Sequence, residues 1–215
     1  MLTFVNLKNI FMIVVANKRR KLEKLRQQYS NAYILDITSS SPYRYGQILS
    51  PFYPHGNIPI PGESNGMTAC SVEGIWQGLK VFQNSGVDMT CFTNNTMKNL
   101  KRTVRKNGVP LGHQYGVYSK KLLNYTEAKQ LIYLPAYKYV LENIPEVKNI
   151  IERIRKESEK SDIVLLDYNI NPDNANPKKP LSHAELVKMY IENRYPSSLE
   201  KQDSLEITSN ELTLF

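Results

Sequence analysis

The sequence predicts an α+β fold, a single mixed domain in which many helices surround a small sheet. The chain opens with an apolar run, a charged stretch and a second apolar run, which is the pattern of a strand, a helix and a strand. Its second half carries several helical stretches and one more buried strand, IVLLDY. With 215 residues, of which 41% are hydrophobic, the chain is long enough to bury one core.

Run length and apolar pattern assign the individual elements. The predicted strands are 11–16, 32–38 and 163–168, and the predicted helices are 18–29, 71–82, 96–107, 124–142, 147–160 and 183–192. Pro135 is expected to bend or break the helix 124–142, because proline lacks a backbone donor. We expect one domain over residues 1–195 and a polar, mobile tail over residues 196–215.

The segment 39–68 is predicted to be a long, ordered loop. It contains five prolines and four glycines, which exclude a regular helix, and it is too aromatic for plain disorder. Long ordered loops in compact domains usually have a function.

The net charge of +8 favours anionic partners, of which phosphates are the commonest in a cell. A generally basic surface is the other interpretation of the same charge. Cys70 and Cys91 form no CxxC pair, and His55, His113 and His183 are isolated, so we expect neither a metal nor a cofactor. The apolar run 10–16 is too short to span a bilayer, and basic residues follow it. We therefore expect a cytoplasmic protein without a membrane partner.

The segment SVEGIWQGLKVF, residues 71–82, divides into two faces when it is drawn as a helix. One face is apolar, and the opposite face carries Glu73, Trp76, Gln77 and Lys80. Gly74 and Gly78 lie inside this helix and would allow another group to come close. The second face is therefore either a solvated surface or part of an active site.

Chemistry at a sugar carbon would suit this face. Glu73 could act as a general acid or base, and a partly desolvated Lys80 could act as a nucleophile. Trp76 could stack on a base or a sugar.

The segment SPFYPHG, residues 50–56, is followed about twenty residues later by SVEGIWQGLKVF, and the pair resembles the two signatures of the NADAR superfamily, the YbiA-like N-glycosidases. The resemblance covers residues 49–82. It implies a mixed fold with many helices, no metal, and cleavage of an N-glycosidic bond in a nucleotide, a riboflavin-pathway intermediate or ADP-ribosylated guanine.

The resemblance also implies roles for individual residues. Glu73 and Lys80 would be the catalytic pair, with Lys80 attacking the anomeric carbon and holding the opened sugar as a Schiff base. Phe52 and Tyr53 would line the pocket. The chain departs from the family at Gly74, where the family commonly has histidine, and it lacks the closing Trp-Gly and Gly-Asn segments.

Other residues are candidates for substrate binding. His113 lies in a glycine-flanked turn, Asp167 and Asn169 follow a predicted strand, and Arg44 lies inside the aromatic loop. A purely structural role is the alternative for each of them. Four cations of the predicted helix 96–107 would share one face and could hold phosphate or simply be solvated, namely Lys98, Lys101, Arg102 and Arg105.

Three functions are compatible with these patterns. The first is an N-glycosidase acting on a small phosphorylated nucleoside compound, such as a nucleotide, an ADP-ribosyl derivative or a cyclic dinucleotide signal; a viral enzyme that erases a defence signal is one version. The second is a non-catalytic protein that binds and sequesters a nucleotide. The third is a DNA- or RNA-binding protein, although the chain has no named DNA-binding motif. The oligomeric state stays open.

Overall fold

The structure, a computed structural model, describes residues 12–176 and 178–197. Nearly all of the predicted tail and the start of the first predicted strand lie outside these residues. The helices are α1 (Leu22–Gln28), α2 (Arg44–Gln47), α3 (Val72–Gly78), α4 (Val104–Asn107), α5 (Tyr125–Ala128), α6 (Leu134–Asn143), α7 (Pro145–Glu157) and α8 (His183–Ile191). The strands are β1 (Ile13–Asn17), β2 (Tyr33–Asp36), β3 (Ile58–Pro59), β4 (Thr68–Ala69), β5 (Lys80–Phe82), β6 (Pro110–Gln114), β7 (Leu122–Leu123) and β8 (Ile163–Asp167).

The predicted α+β class is confirmed. Three small sheets form within the described residues: a parallel sheet ordered β1-β8-β2, an antiparallel pair β3-β4, and an antiparallel sheet ordered β5-β6-β7. The predicted strand–helix–strand opening is also confirmed, but β8 inserts between β1 and β2. In the described part of the chain, no helix has both the length and the apolar character needed to cross a membrane.

The core lies on both faces of the parallel sheet, because β8 is buried along its whole length. Ile163 and Leu165 join the main apolar cluster, to which α3, α6, α7 and α8 contribute. Val164 and Leu166 point the other way and pack with Leu25 of α1 in a smaller cluster. This alternation is the two-residue period of a strand covered on both sides.

The predicted helix 71–82 is wrong in its second half. The helix ends at Gly78, and Lys80 begins β5, which pairs with His113 of β6. Val81 and Phe82 favour a strand, and pairing with β6 gives their backbone groups partners outside the helix. Lys80 is therefore not on the helical face that carries Glu73.

The predicted helix 96–107 is wrong over most of its length, since only α4 is helical. Met97 and Asn99 have positive φ angles of 58° and 59°, which turn the chain repeatedly before α4. The stripe of four cations on one helix face does not exist.

The predicted helix 124–142 consists of α5, a π-helical turn over Lys129–Tyr133, and α6. Pro135 lies in the first turn of α6, where its missing donor disturbs the helix least. Asn124 and Glu127 form a capping box at the start of α5.

Close approach at the two glycines of α3 is confirmed. A Cβ atom at Gly74 would lie 2.6 Å from the carbonyl oxygen of Cys91, and one at Gly78 would lie 2.2 Å from a ring atom of Phe92. Both partners are buried, so neither can easily move aside. The glycines therefore let α3 seat directly against the segment around Cys91 and Phe92.

A buried ion pair joins the end of β8 to the start of α8. The Nδ1 atom of His183 lies 3.0 Å from the Oδ2 atom of Asp167, and its Nε2 atom lies 2.9 Å from the carbonyl oxygen of Ile37. Both ring nitrogens face acceptors, so both donate and the imidazole is charged. The hydroxyl of Ser182 also donates to Asp167, at 2.8 Å.

The pKa values of this pair move in opposite directions. Burial alone would lower the pKa of His183, but the charge and hydrogen bond of Asp167 outweigh it and raise that pKa. Burial alone would raise the pKa of Asp167, but His183 and the Ser182 hydroxyl lower it. Each group therefore holds its partner in the charged form.

We expect Gly78→Ala to lower the free energy of unfolding by about 1–3 kcal/mol, because the new methyl group overlaps the Phe92 ring. Gly86→Ala is the matched control, since a Cβ atom there meets nothing within 4 Å. Urea unfolding of the two variants measures the difference. Equal stability of both variants would contradict the packing described here.

We expect Asp167→Asn to lower the free energy of unfolding by about 3–5 kcal/mol, because it leaves the buried His183 without its counter-charge. The contribution of His183 is complete below its unfolded pKa of about 6.5 and is lost as pH rises through the higher folded value. The contribution of Asp167 is complete above about 3.9 and is lost as pH falls through the lower folded value.

The difference between wild type and Asp167→Asn should therefore be largest between about pH 4 and 6.5 and shrink on either side. Urea unfolding from well below about pH 4 to well above about pH 6.5 measures it. Glu23→Gln, on the exposed face of α1, controls for loss of a carboxylate. A difference that does not change with pH would exclude the charged pair.

Candidate active site

A cavity of about 330 Å³ lies at the carboxyl ends of β2 and β8. Its walls come from the ends of these strands, the loop around Phe52, helix α3, and the stretch from α5 through the π turn. Carboxyl ends of parallel strands are the usual position for ligand sites in open sheets. We call this space the main cavity.

Seven residues singled out from the sequence come together here, from segments that are far apart along the chain. The main cavity is lined by Phe52, Glu73, Trp76, Gln77, Lys101, Asp167 and Asn169. The prediction for the end of β8 and the prediction for α3 thus converge on one space.

The polar face of α3 is buried instead of wet. Glu73 is 8% exposed and Gln77 is 7% exposed. The hydroxyl of Ser71 accepts a hydrogen bond from the backbone of Gly74 at 3.0 Å and caps the helix. The backbone N–H of Glu73 donates to the carbonyl of Pro51 at 2.8 Å, so the SPFYPHG segment and α3 are joined directly.

Glu73 is held on one side only. The amide of Gln77 donates to its Oε1 atom at 2.9 Å, and the amide oxygen of Gln77 accepts from the backbone of Arg102 at 3.2 Å. The Oε2 atom has no hydrogen-bond partner among the described residues. Burial raises the pKa of Glu73, while the Gln77 hydrogen bond and the charges of Lys101 and Lys80 lower it in part. The net shift of this pKa is upward, so the protonated acid is more favoured than it is in an exposed glutamate.

Aromatic rings form the side of the main cavity next to Glu73. The ring of Trp76 meets Tyr125 and Tyr133 edge-on, with centroids 5.8 Å apart in each case. Burial raises the pKa of Tyr125, and it raises that of Tyr133 well above its ordinary value. Both phenols therefore stay neutral and can donate hydrogen bonds.

The π turn brings Lys129 and Tyr133 into the same wall. The Nζ atom of Lys129 donates to the carbonyl of Asn176 at 2.6 Å and lies 5.1 Å from the centre of the Tyr125 ring. Burial lowers the pKa of Lys129. Our sequence reasoning missed Tyr125, Lys129 and Tyr133, although their spacing of four residues in a predicted helix was a usable signal.

The strand-end residues line the main cavity, but most of their polar atoms are already engaged. Asp167 bonds to His183 and Ser182. The amide of Asn169 donates to the carbonyl of Pro180, and its oxygen accepts from the backbone of Asn171 at 3.2 Å. Their binding of ribose hydroxyls stays a prediction.

Lys80 does not line the main cavity. Its ammonium lies 5.1 Å from the centre of the Phe82 ring, and its side chain is half-buried. Burial lowers the pKa of Lys80, the charge of Glu73 raises it in part, and Arg102 lowers it further. The lysines that do line the main cavity are Lys101 and Lys129.

Three other predicted residues lie outside the main cavity, namely Arg44, Tyr53 and His113. Arg44 is exposed, forms an ion pair with Glu146 at 2.9 Å and donates to the hydroxyl of Tyr53 at 3.2 Å. His113 lies behind Trp76, with ring centroids 3.8 Å apart. Burial and the Lys80 charge lower the pKa of His113 to about 3, so this histidine is neutral and supports Trp76 from behind.

No group of three or more His, Cys, Asp and Glu side chains with the arrangement of a metal site occurs in residues 12–176 and 178–197. The main cavity offers aromatic faces, two lysines and two buried carboxyls, of which Asp167 is already paired with His183; this set fits an organic ligand better than a metal ion.

No curated protein matches the chain. The model of a family described as of unknown function, DUF6939, matches residues 17–187. This range includes most of the chain and every residue that lines the main cavity. The chain therefore belongs to the DUF6939 family.

Proposed function

We propose that the protein is an N-glycosidase that cleaves the bond between base and sugar in a small phosphorylated nucleoside compound. The observation that carries this proposal is the state of Glu73, a buried carboxyl with a raised pKa, one oxygen held by Gln77 and the other free, in an aromatic cavity. The cavity, about 330 Å³, falls within the range of about 300–1,000 Å³ usual for small-molecule sites.

In this proposal Glu73 acts as the general acid. As the bond between C1′ and the base nitrogen breaks, the protonated carboxyl gives its proton to the leaving base, and the carboxylate that forms stabilises positive charge on the sugar. Trp76, Tyr125 and Tyr133 offer ring faces and edges against which a base can pack. Overall, water adds across the bond, giving a free base and a sugar hydroxyl.

The nucleophile proposed from the resemblance is the Lys80 amine. It would attack C1′, release the base and be hydrolysed from the opened sugar as a Schiff base. Lowering of its pKa by burial favours the neutral amine that this step needs. Because Lys80 lies beside the main cavity and not in its wall, the side chain would have to turn towards the substrate.

A sequestering protein is the second candidate, and the position of Lys80 favours it. Binding needs only the aromatic wall and the cations of the main cavity, and it does not need an amine near the sugar carbon. Both candidates place the ligand in the cytoplasm, where nucleotides are made and where the two unpaired cysteines, Cys70 and Cys91, would stay reduced.

We expect base release from at least one member of a panel of NAD, ADP-ribose, ADP-ribosylated guanine DNA, purine mononucleotides and cyclic dinucleotides. Mass spectrometry of the products detects the free base. Glu73→Gln should lower the turnover by about 10²–10⁴, the usual contribution of a general acid. Glu23→Gln should not change it. Tight binding of one member without base release would exclude the enzyme and leave the sequestering protein.

Borohydride reduction during turnover should link the sugar to Lys80, and peptide mapping identifies the modified lysine. Lys80→Ala should abolish both adduct and turnover, while Lys98→Ala, at an exposed site, should change neither. An adduct on Lys129 would transfer the nucleophile's role to the lysine in the cavity wall. Repeated absence of any adduct under turnover would exclude the Schiff-base route.

Gln77→Met should move the alkaline limb of the rate profile to higher pH. The acid must be protonated, so the rate falls as pH rises through the pKa of Glu73. The Gln77 hydrogen bond lowers that pKa, and its removal therefore raises it further. The pH dependence of kcat/KM measures the shift, with the exposed Gln83→Met as control. A shift in the opposite direction would contradict the assignment of Glu73 as the acid.

A further inference from the structure

A second, smaller cavity of about 240 Å³ adjoins the main cavity. It lies between the segment 88–94 and the start of α4, and Lys101 lines both spaces. The backbone of Arg102, which also lines the smaller cavity, bonds to Gln77 in the main one. We call the smaller space the basic annex.

Donors without partners make up one side of the basic annex. Among the described residues, no hydrogen bond or ion pair engages the side chains of Asn99, Lys101, Thr103 and Lys106, all of which line it. Two ammonium groups, one amide and one hydroxyl are thus available to one ligand.

The acidic group of the basic annex is already neutralised. Asp88 accepts from the backbone and the hydroxyl of Thr90, at 3.1 and 2.6 Å, and its other oxygen lies 3.9 Å from Arg102. Arg102 in turn is held by backbone carbonyls, among them those of Gln77 and Gly86 at 3.1 and 2.7 Å. Lys101 and Lys106 therefore carry the uncompensated charge.

We propose that the basic annex binds a phosphate group of the same ligand whose base and sugar occupy the main cavity. The inference rests on the proposed function for the identity of that ligand as a nucleoside compound, and it names the recognised class as nucleoside phosphates. Ammonium, amide and hydroxyl donors match the oxygens of a phosphate, which accept several charge-assisted hydrogen bonds at once.

Lys101 connects the annex to the chemistry of the main cavity. Its ammonium lies 5.8 Å from the centre of the Phe52 ring, and its positive charge lowers the pKa of Glu73. A phosphate on Lys101 offsets this charge, so the pKa of Glu73 rises when a phosphorylated ligand is bound. The ligand on which the acid acts thereby favours the protonated form of that acid.

The test compares two nucleotides with the corresponding nucleosides, AMP with adenosine and GMP with guanosine. The single tryptophan of the chain, Trp76, lines the main cavity, so its fluorescence reports binding there without any turnover. We expect the nucleotides to bind more tightly. Lys106→Ala should weaken nucleotide binding about tenfold and change nucleoside binding less than about twofold. Lys98→Ala is the matched control and should change neither.

Acetylation of lysines, read by mass spectrometry, locates the phosphate independently. AMP or GMP should protect Lys101 and Lys106 and leave Lys98 reactive, and the nucleosides should protect neither of the two annex lysines. Equal affinity of nucleotide and nucleoside, or equal behaviour of Lys106→Ala and Lys98→Ala, would overturn the proposal.

The two proposals fail in different ways. If Lys106→Ala still releases the base and its nucleotide affinity is unchanged, the proposal for the annex is wrong and the N-glycosidase proposal stands. If binding depends on the phosphate and Lys106→Ala weakens it, but no nucleotide releases its base, the proposal for the annex stands and the N-glycosidase proposal is wrong. Tighter and steeply salt-dependent binding of a single-stranded DNA of about twelve nucleotides would assign these cations to nucleic acid and overturn the annex.

Discussion

The close packing of α3 against the segment around Cys91 and Phe92 is the constraint on which the rest of the candidate site depends. Without side chains at Gly74 and Gly78, the helix contacts the carbonyl of Cys91 and the ring of Phe92 directly. The same helix donates a hydrogen bond, from the backbone N–H of Glu73, to the carbonyl of Pro51 in the loop that carries Phe52. These contacts bring the polar face of α3 into the interior, where Glu73 has an amide partner and an aromatic wall in place of water. The raised pKa of Glu73 is a consequence of this packing.

The opposite wall of the main cavity depends on a buried ion pair. Asp167 ends β8 and His183 begins α8, and each stabilises the charge of the other within a largely apolar surrounding. Such pairs add little net stability, yet removing one partner is costly because the other charge is left buried. The pair therefore fixes how the sheet end and α8 meet, and it leaves Asp167 few free atoms for a ligand.

Some cations of the protein are engaged in its structure, and others have no partner within the described residues. Arg102 lies below the surface and holds several carbonyl groups, and Arg44 is paired with Glu146. Lys101 and Lys106 have no such partners among the described residues. A lysine left unpaired beside a cavity attracts anions more effectively than a paired arginine, because its charge is not already neutralised. The net positive charge alone does not show which cations are free to attract an anion, and the contacts of each side chain are needed to identify them.

The sequence by itself determined the α+β class and the three strands of the parallel sheet, and it singled out Phe52, Glu73 and Asp167, which line the main cavity. The apolar pattern of neighbouring residues is enough to predict these strands, because that pattern does not depend on which segment the strand packs against. Only the tertiary structure decided that Lys80 lies in a strand, that Lys98 to Arg105 form no helical stripe, and that Arg44 is engaged elsewhere. It also brought Lys129 and Tyr133 into the cavity wall. These outcomes depend on pairing with β6, on left-handed turns before α4 and on contacts between distant segments, and no local pattern in the sequence records such long-range partners.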